Sequence, residues 1–253
     1  MDQEQELTGA AAVSEQELTG AAVVSGEGLT GAAVVSGEGL TGAAARFGGP
    51  ALAVADWRRQ VFDLYRAVRA DPDPASAHTH WQSTRNTLLT HHPASPVPGQ
   101  HRETYRGAPV APYDPQYRFE ATLDTDVKPD SWEFQSATDG VIPFSLVGTL
   151  HLPIGDLDVW WLESYGGGLF IPVKDRNKQT YGGGRYLIDT VKGADLGSDL
   201  STGRFVVDLN FAYNPSCAYS PDWTCPLAPA TNTLDVELPV GELSGGVLQG
   251  PGQ

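Results

Sequence analysis

What the chain lacks narrows it first. It has only two cysteines, Cys217 and Cys225, too few for a small disulfide-built scaffold. No run of 18 apolar residues occurs, so a membrane-spanning helix is not expected. Residues 1–45 hold no lysine or arginine against seven acidic side chains. The remaining 208 residues carry 16 basic and 24 acidic groups, a net of −8. A body without a basic cluster lacks the counter-charge that nucleic acid and anionic membranes require, so neither is an expected partner. The opening Met-Asp-Gln-Glu-Gln-Glu is acidic where a secretion signal is positively charged. That predicts a cytoplasmic protein whose two thiols are reduced. Dinucleotide, P-loop and catalytic-triad signatures are missing too, and no bound cofactor is expected.

Two regions of unlike composition remain. Leu7, Leu18, Leu29 and Leu40 recur every 11 residues, each inside a Leu-Thr-Gly-Ala-Ala unit. An 11-residue apolar period can wind a right-handed helical coil, but each unit places a glycine where a helix would lose about 1 kcal/mol relative to alanine. Residues 1–49 are therefore expected to form a disordered low-complexity tail, and 246–253 a second, short one. Between them, 50–245 reads as one domain, long enough for a single hydrophobic core.

That domain opens with a helical period. Asp56 is placed to cap a helix whose Trp57, Val61, Leu64, Tyr65 and Val68 form one apolar stripe, ended by Asp71-Pro72-Asp73-Pro74. A second helix is expected from about Ala75 to Leu89, carrying Trp81, Leu88 and Arg85. From Tyr117 the grammar becomes that of strands: Tyr117–Leu123, Trp132–Phe134, Phe144–Leu152, Leu157–Leu162, Leu169–Val173, Arg185–Val191, Arg204–Phe211 and Leu234–Leu238. The expected fold class is mainly β (α+β), an antiparallel barrel or sandwich with two N-terminal helices on its flank.

Several stretches carry a resemblance. They are Trp81…Arg85…Leu89…His92-Pro93, Tyr113-Asp114-Pro115…Tyr117-Arg118-Phe119 and Thr180-Tyr181-Gly182-Gly183-Gly184-Arg185, with the long motif Asp208-Leu209-Asn210-Phe211-Ala212-Tyr213-Asn214-Pro215-Ser216-Cys217-Ala218-Tyr219 through Cys225-Pro226 and Asn232. Over about residues 55–245 the chain resembles actinobacterial members of the domain of unknown function 1684 family. It departs from the usual pattern at Thr231 and Thr233, where Glu and Arg are customary, and Val240-Gly241-Glu242-Leu243 replaces the customary Ala-Gly-Glu-Lys. The resemblance names no reaction.

Candidate chemistry gathers near that motif. On an unbroken strand Arg204–Phe211, Asp208 and Asn210 share a face about 7 Å apart, where they could grip one ligand or form a solvated outer face. Four readings of Cys217 and Cys225 stay open: buried structural thiols, a disulfide or redox pair, a nucleophile and its neighbour, or zinc ligands, the last with no usual spacing. The two Tyr-Gly-Gly-Gly runs precede strands and read as turns rather than phosphate cradles, and Lys174–Lys178 as a solvated hairpin turn. Of six histidines, only His151 alternates so that it could enter a barrel, and no metal site is expected. The expectation is thus a small-molecule-binding or cofactor-independent hydrolase- or transferase-like domain. Asp208, Asn210 and Cys217 are its candidate catalytic residues, and Arg185, Asp189, Tyr213, Asn214, Cys225 and Asn232 its candidates for a small polar ligand. The alternative is a non-catalytic structural or interaction module in which these motifs only lock the fold.

Overall fold

The computed structural model describes residues 49–136, 140–199 and 201–245. The expected tails, Gly49 apart, lie outside the described residues. Two long helices, α1 (Gly49–Ala70) and α2 (Pro74–His91), precede a single turn of helix, α3 (Gly99–Arg102). Leu64, Tyr65 and Val68 are the buried residues of α1, on the side the sequence period marks. Burying each such side chain contributes roughly 1.5–3 kcal/mol. The helix begins seven residues before Asp56, so Asp56 does not cap it. Instead its carboxylate accepts from Gln60 one turn on and meets His92. In α2, Asp73 is the cap: its side chain accepts from Ala75 N–H, and Pro74 occupies the first helical position.

Eight strands follow: β1 (Arg118–Asp124), β2 (Ser131–Ser136), β3 (Gly140–Leu152), β4 (Gly155–Leu162), β5 (Leu169–Val173), β6 (Arg185–Asp189), β7 (Ser198–Asp199) and β8 (Arg204–Asp208). They form one antiparallel, barrel-like sheet in the order β6-β5-β4-β3-β1-β8-β7. The 13-residue β3 is long enough to pair with β2 along its first half and β1 near its end. A bulge between Leu146 and Gly148 bends it, and a Cβ at Gly148 would lie 2.4 Å from the Asp124 carbonyl, so only glycine allows that approach. The chain leaving β8 returns to the opposite edge, where Tyr213 and Tyr186 exchange both backbone hydrogen bonds, 2.8 and 2.9 Å. That bridge draws the sheet towards closure.

The main core joins the two layers: Leu64, Tyr65 and Trp81 of the helices pack with Leu150, Leu157, Ile171, Leu187 and Val207 of the sheet. Trp160 is buried and its neighbour Trp161 is 40% exposed, as alternation along a strand requires. Several local expectations need correction. His151 points outwards, between Asp124 and Asp156, while it is His78 and His92 of the helical region that are buried. Leu234–Leu238 is no strand: its main chain meets its neighbour only at Leu234 N–H to Lys174 O and Arg176 N–H to Val236 O, and at Leu238 side chains take over, the carbonyl accepting from Asn177 Nδ2 and the N–H donating to Asp175. Asp175 is therefore a buried acceptor, not part of a solvated turn.

Candidate functional site

β8 ends at Asp208, which overturns the expected common face. The Asp208 carboxylate accepts from Asn210 N–H and turns Leu209–Phe211 into a 3-10 turn, a local bond that competes with the sheet ladder. Asp208 Oδ1 also accepts from Asn210 Nδ2 (2.8 Å), and Oδ2 accepts from Tyr113 OH and Arg118 Nη1, each 3.2 Å. All four lone-pair positions of this buried carboxylate are then occupied. Asn210 is as fully engaged: it clamps Asp114 by N–H and carbonyl, 2.8 Å each, and its own carbonyl meets His78 Nε2 at 3.1 Å, which must then carry the proton. Burial, then the Asp208 charge, raises the Tyr113 pKa to about 12, so the phenol stays a donor.

Two more predicted residues form separate locks. Arg185, fully buried, donates from Nη2 to Asp175 (2.9 Å) and from Nη1 to the carbonyls of Val240 and Glu242. Asn232 donates to the carbonyls of Asp158 and Pro172 (2.9 Å each) and accepts from Trp160 Nε1. Arg185 and Asp189, which share strand parity, do not pair. Asp189 instead holds Lys192 at 3.2 Å and caps its N–H.

The structure brings Tyr213 and Asn214 to a different place, a pocket of about 70 Å³ between α1, α2, the turn at Thr190–Lys192 and the segment 213–219. Trp57, Tyr65 and Trp81 supply aromatic wall, and Arg85 and Lys192 supply charge. Arg85 is held on several sides. Its Nε donates to the buried Glu242 at 2.8 Å, its Nη2 to Asn214 O and Tyr219 OH at 3.2 and 3.3 Å, and its guanidinium lies 4.7 Å from the Tyr213 ring centre. Asn214 N–H donates to the same Glu242 oxygen (3.2 Å). Among the described residues Arg85 Nη1 has no hydrogen-bond partner, and it is not among the buried unpartnered atoms. Burial opposes the Arg85 charge, but Glu242 outweighs it and the pKa lies above the ordinary value. Burial pushes the phenols of Tyr65 and Tyr213 up, so both remain protonated.

Beside this pocket Cys217 N–H donates to Cys225 Sγ at 3.3 Å, and both cysteines are free thiols. Among the described residues no group of three metal-ligating side chains occurs, and no helix is long and apolar enough to cross a membrane. Arg85, Glu242, Lys192, Tyr65 and Tyr219 were not singled out as site residues by the sequence reading. Of these, Arg85, Tyr219 and the Gly241-Glu242 pair carried a signal, through the family resemblance.

Residues 103–243, more than half of the chain, match a family described as protein of unknown function (DUF1684). The chain belongs to this family. It is similar to an uncharacterized protein of Haloarcula marismortui solved by solution NMR, with 30% identity over 66% of this chain and 94% of that one and a TM-score of 0.46. No curated protein matches. The family motif thus divides in space: Asp208, Asn210, Arg185 and Asn232 sit in internal locks, while Tyr213, Asn214 and the cysteine loop border the pocket.

Proposed function

We propose that the domain is a non-catalytic binding module for a small organic anion, received in the pocket between α1, α2 and the β6 edge. One observation carries the reading: Arg85, which lines an aromatic pocket, is fixed by Glu242, Asn214 O and Tyr219, yet among the described residues its Nη1 has no hydrogen-bond partner. A guanidinium already held in place loses little freedom when it binds. Lys192, half-exposed, adds a second cation, and the protonated phenol of Tyr213 a further donor. The volume suits a carboxylate or similar head on a short apolar body. Hydrolysis or group transfer at Asp208 and Asn210 has less support, because protein donors already occupy the Asp208 carboxylate.

The test is titration of the full chain with a panel of short-chain and aromatic carboxylates, following Trp57 and Trp81 fluorescence and calorimetric heat. Saturable binding is expected, weakened on the order of tenfold in Lys192→Met, equivalent to about 1.4 kcal/mol, and more in Arg85→Lys. Lys192 is exposed enough that its replacement leaves the fold intact. If no carboxylate saturates the protein, or both variants bind as the parent does, the proposal fails.

A further inference from the structure

The loop from Asn214 to Pro229 places its two cysteines in contact and gives each sulfur a hydrogen-bond donor. Cys217 sits in the 3-10 turn Ser216–Ala218 and Cys225 lies just before Pro226. Four prolines after Asn214 (Pro215, Pro221, Pro226 and Pro229) and the bonds Ala218 N–H to Pro215 O and Trp223 N–H to Ser220 O restrain the path between them. The backbone N–H of Cys217 donates to Cys225 Sγ at 3.3 Å, which puts Cys217 Cα no more than about 4.8 Å from that sulfur. Tyr181 OH donates to Cys217 Sγ at 3.6 Å. Cys225 packs in a cluster with Trp160, Phe170 and Tyr186. Structural thiols need no such donors, since a neutral S–H packs as a small apolar group.

We propose that Cys217 and Cys225 form a redox-active dithiol, closing to a disulfide by exchange with a low-molecular-weight disulfide. Cys217 is the half-exposed member and Cys225 the buried one, so the external partner meets Cys217. The pair shares one proton. In the resting pair the proton lies on Cys217, and as Cys217 Sγ attacks it passes that proton to Cys225 Sγ; the Cys217–S–S mixed disulfide forms, the oxidant's S–S bond breaks, and one thiolate leaves. This thiolate takes the proton from Cys225, whose sulfur then attacks Cys217 Sγ and expels the second thiolate. Two electrons pass from the cysteines to the oxidant, which departs as one thiol and one thiolate. The Cys225 pKa is drawn down to about 6, first by hydrogen bonding from Cys217, against the effect of burial, with the Lys192 charge assisting. The Cys217 thiol, sharing that proton, is pushed up. None of this depends on the pocket holding a ligand.

The experiment equilibrates the reduced full chain with mixtures of reduced and oxidised glutathione, quenches in acid and reads the intact mass. The wild-type chain is expected to lose two hydrogens reversibly, in a proportion set by the glutathione ratio. Cys225→Ser should accumulate one glutathione adduct at Cys217. Lys192→Met, which leaves both sulfurs in place, should slow iodoacetamide alkylation near neutral pH several-fold. A wild-type chain that stays reduced at every ratio, or stops at a glutathione adduct, overturns the proposal; so does native alkylation no faster than that of the urea-unfolded chain.

Discussion

Glu242→Gln isolates the charge that fixes Arg85. The Glu242 side chain is fully buried and that of Arg85 is 13% exposed. Glu242 Oε2 accepts from Arg85 Nε and Asn214 N–H, while Oε1 is buried without a partner among the described residues. Removing one partner of a buried ion pair costs roughly 3–5 kcal/mol, because the other charge is left uncompensated. The glutamine oxygen can still accept both bonds from the Oε2 position, and Arg85 keeps some contact with solvent. The lower end therefore applies, about 3 kcal/mol. For a domain of this size that lowers Tm by roughly 6–12 °C. Thermal and urea unfolding at neutral pH measure it. The double variant Arg85→Met, Glu242→Gln should be more stable than the sum of the two single losses implies, since no charge is then stranded. A single loss below about 1 kcal/mol, or strict additivity, would refute the reasoning.

Asp208→Ala strands Arg118, Tyr113 OH and the Asn210 amide and should cost about 3–5 kcal/mol, read as a lower urea midpoint with an unchanged slope. His151 is exposed, and its bonds to Asp156 and Asp124 raise its pKa above 6.5. Its stabilisation is complete below the unfolded value and lost as pH rises through the folded one, so the Tm difference between wild type and His151→Asn should shrink with rising pH. Buried His78 has the opposite sign: burial lowers its pKa from 6.5, the unfolded chain binds the proton first, and stability falls as pH drops below about 6.5. His78→Gln should flatten that fall.

Much of the fold was legible because it rests on periodicity. The α1 stripe from Trp57 to Val68 and the alternating strands follow directly from which faces must be buried. Misreadings arose where a polar side chain captured the backbone. Asp208 took the Asn210 N–H and ended β8 early, although Leu209 and Phe211 continue the apolar alternation. Asp175 and Asn177 did the same to Leu238. Asp56 resembled a cap because aspartate caps helices often, yet it serves as a mid-helix acceptor. The pocket was less legible still. Arg85 and Glu242 lie 157 residues apart, and neither period nor local spacing links a helix face to a loop at that distance.

The Arg185 lock and the pocket meet at one short clasp. Residues 240–242 are gripped by Arg185 through two carbonyls, while Glu242 N–H donates to Ala212 O at 2.8 Å and its side chain reaches Arg85. Gly241 between them has φ +77, and a Cβ there would lie 2.7 Å from Ala212 O and 3.0 Å from Arg185 Nη1. Only glycine lets the backbone pass between these groups and deliver Glu242 to Arg85. Motif residues that lie away from the pocket therefore still act on it: Arg185 sets Gly241, Gly241 sets Glu242, and Glu242 sets how Arg85 is held. Asp208 and Asn210 anchor the other side, holding Phe211 against Trp81 one helical turn from Arg85. A cation positioned through two locks is held before any ligand arrives, and under the proposed anion-binding reading that rigidity is what a small ligand with few contacts requires.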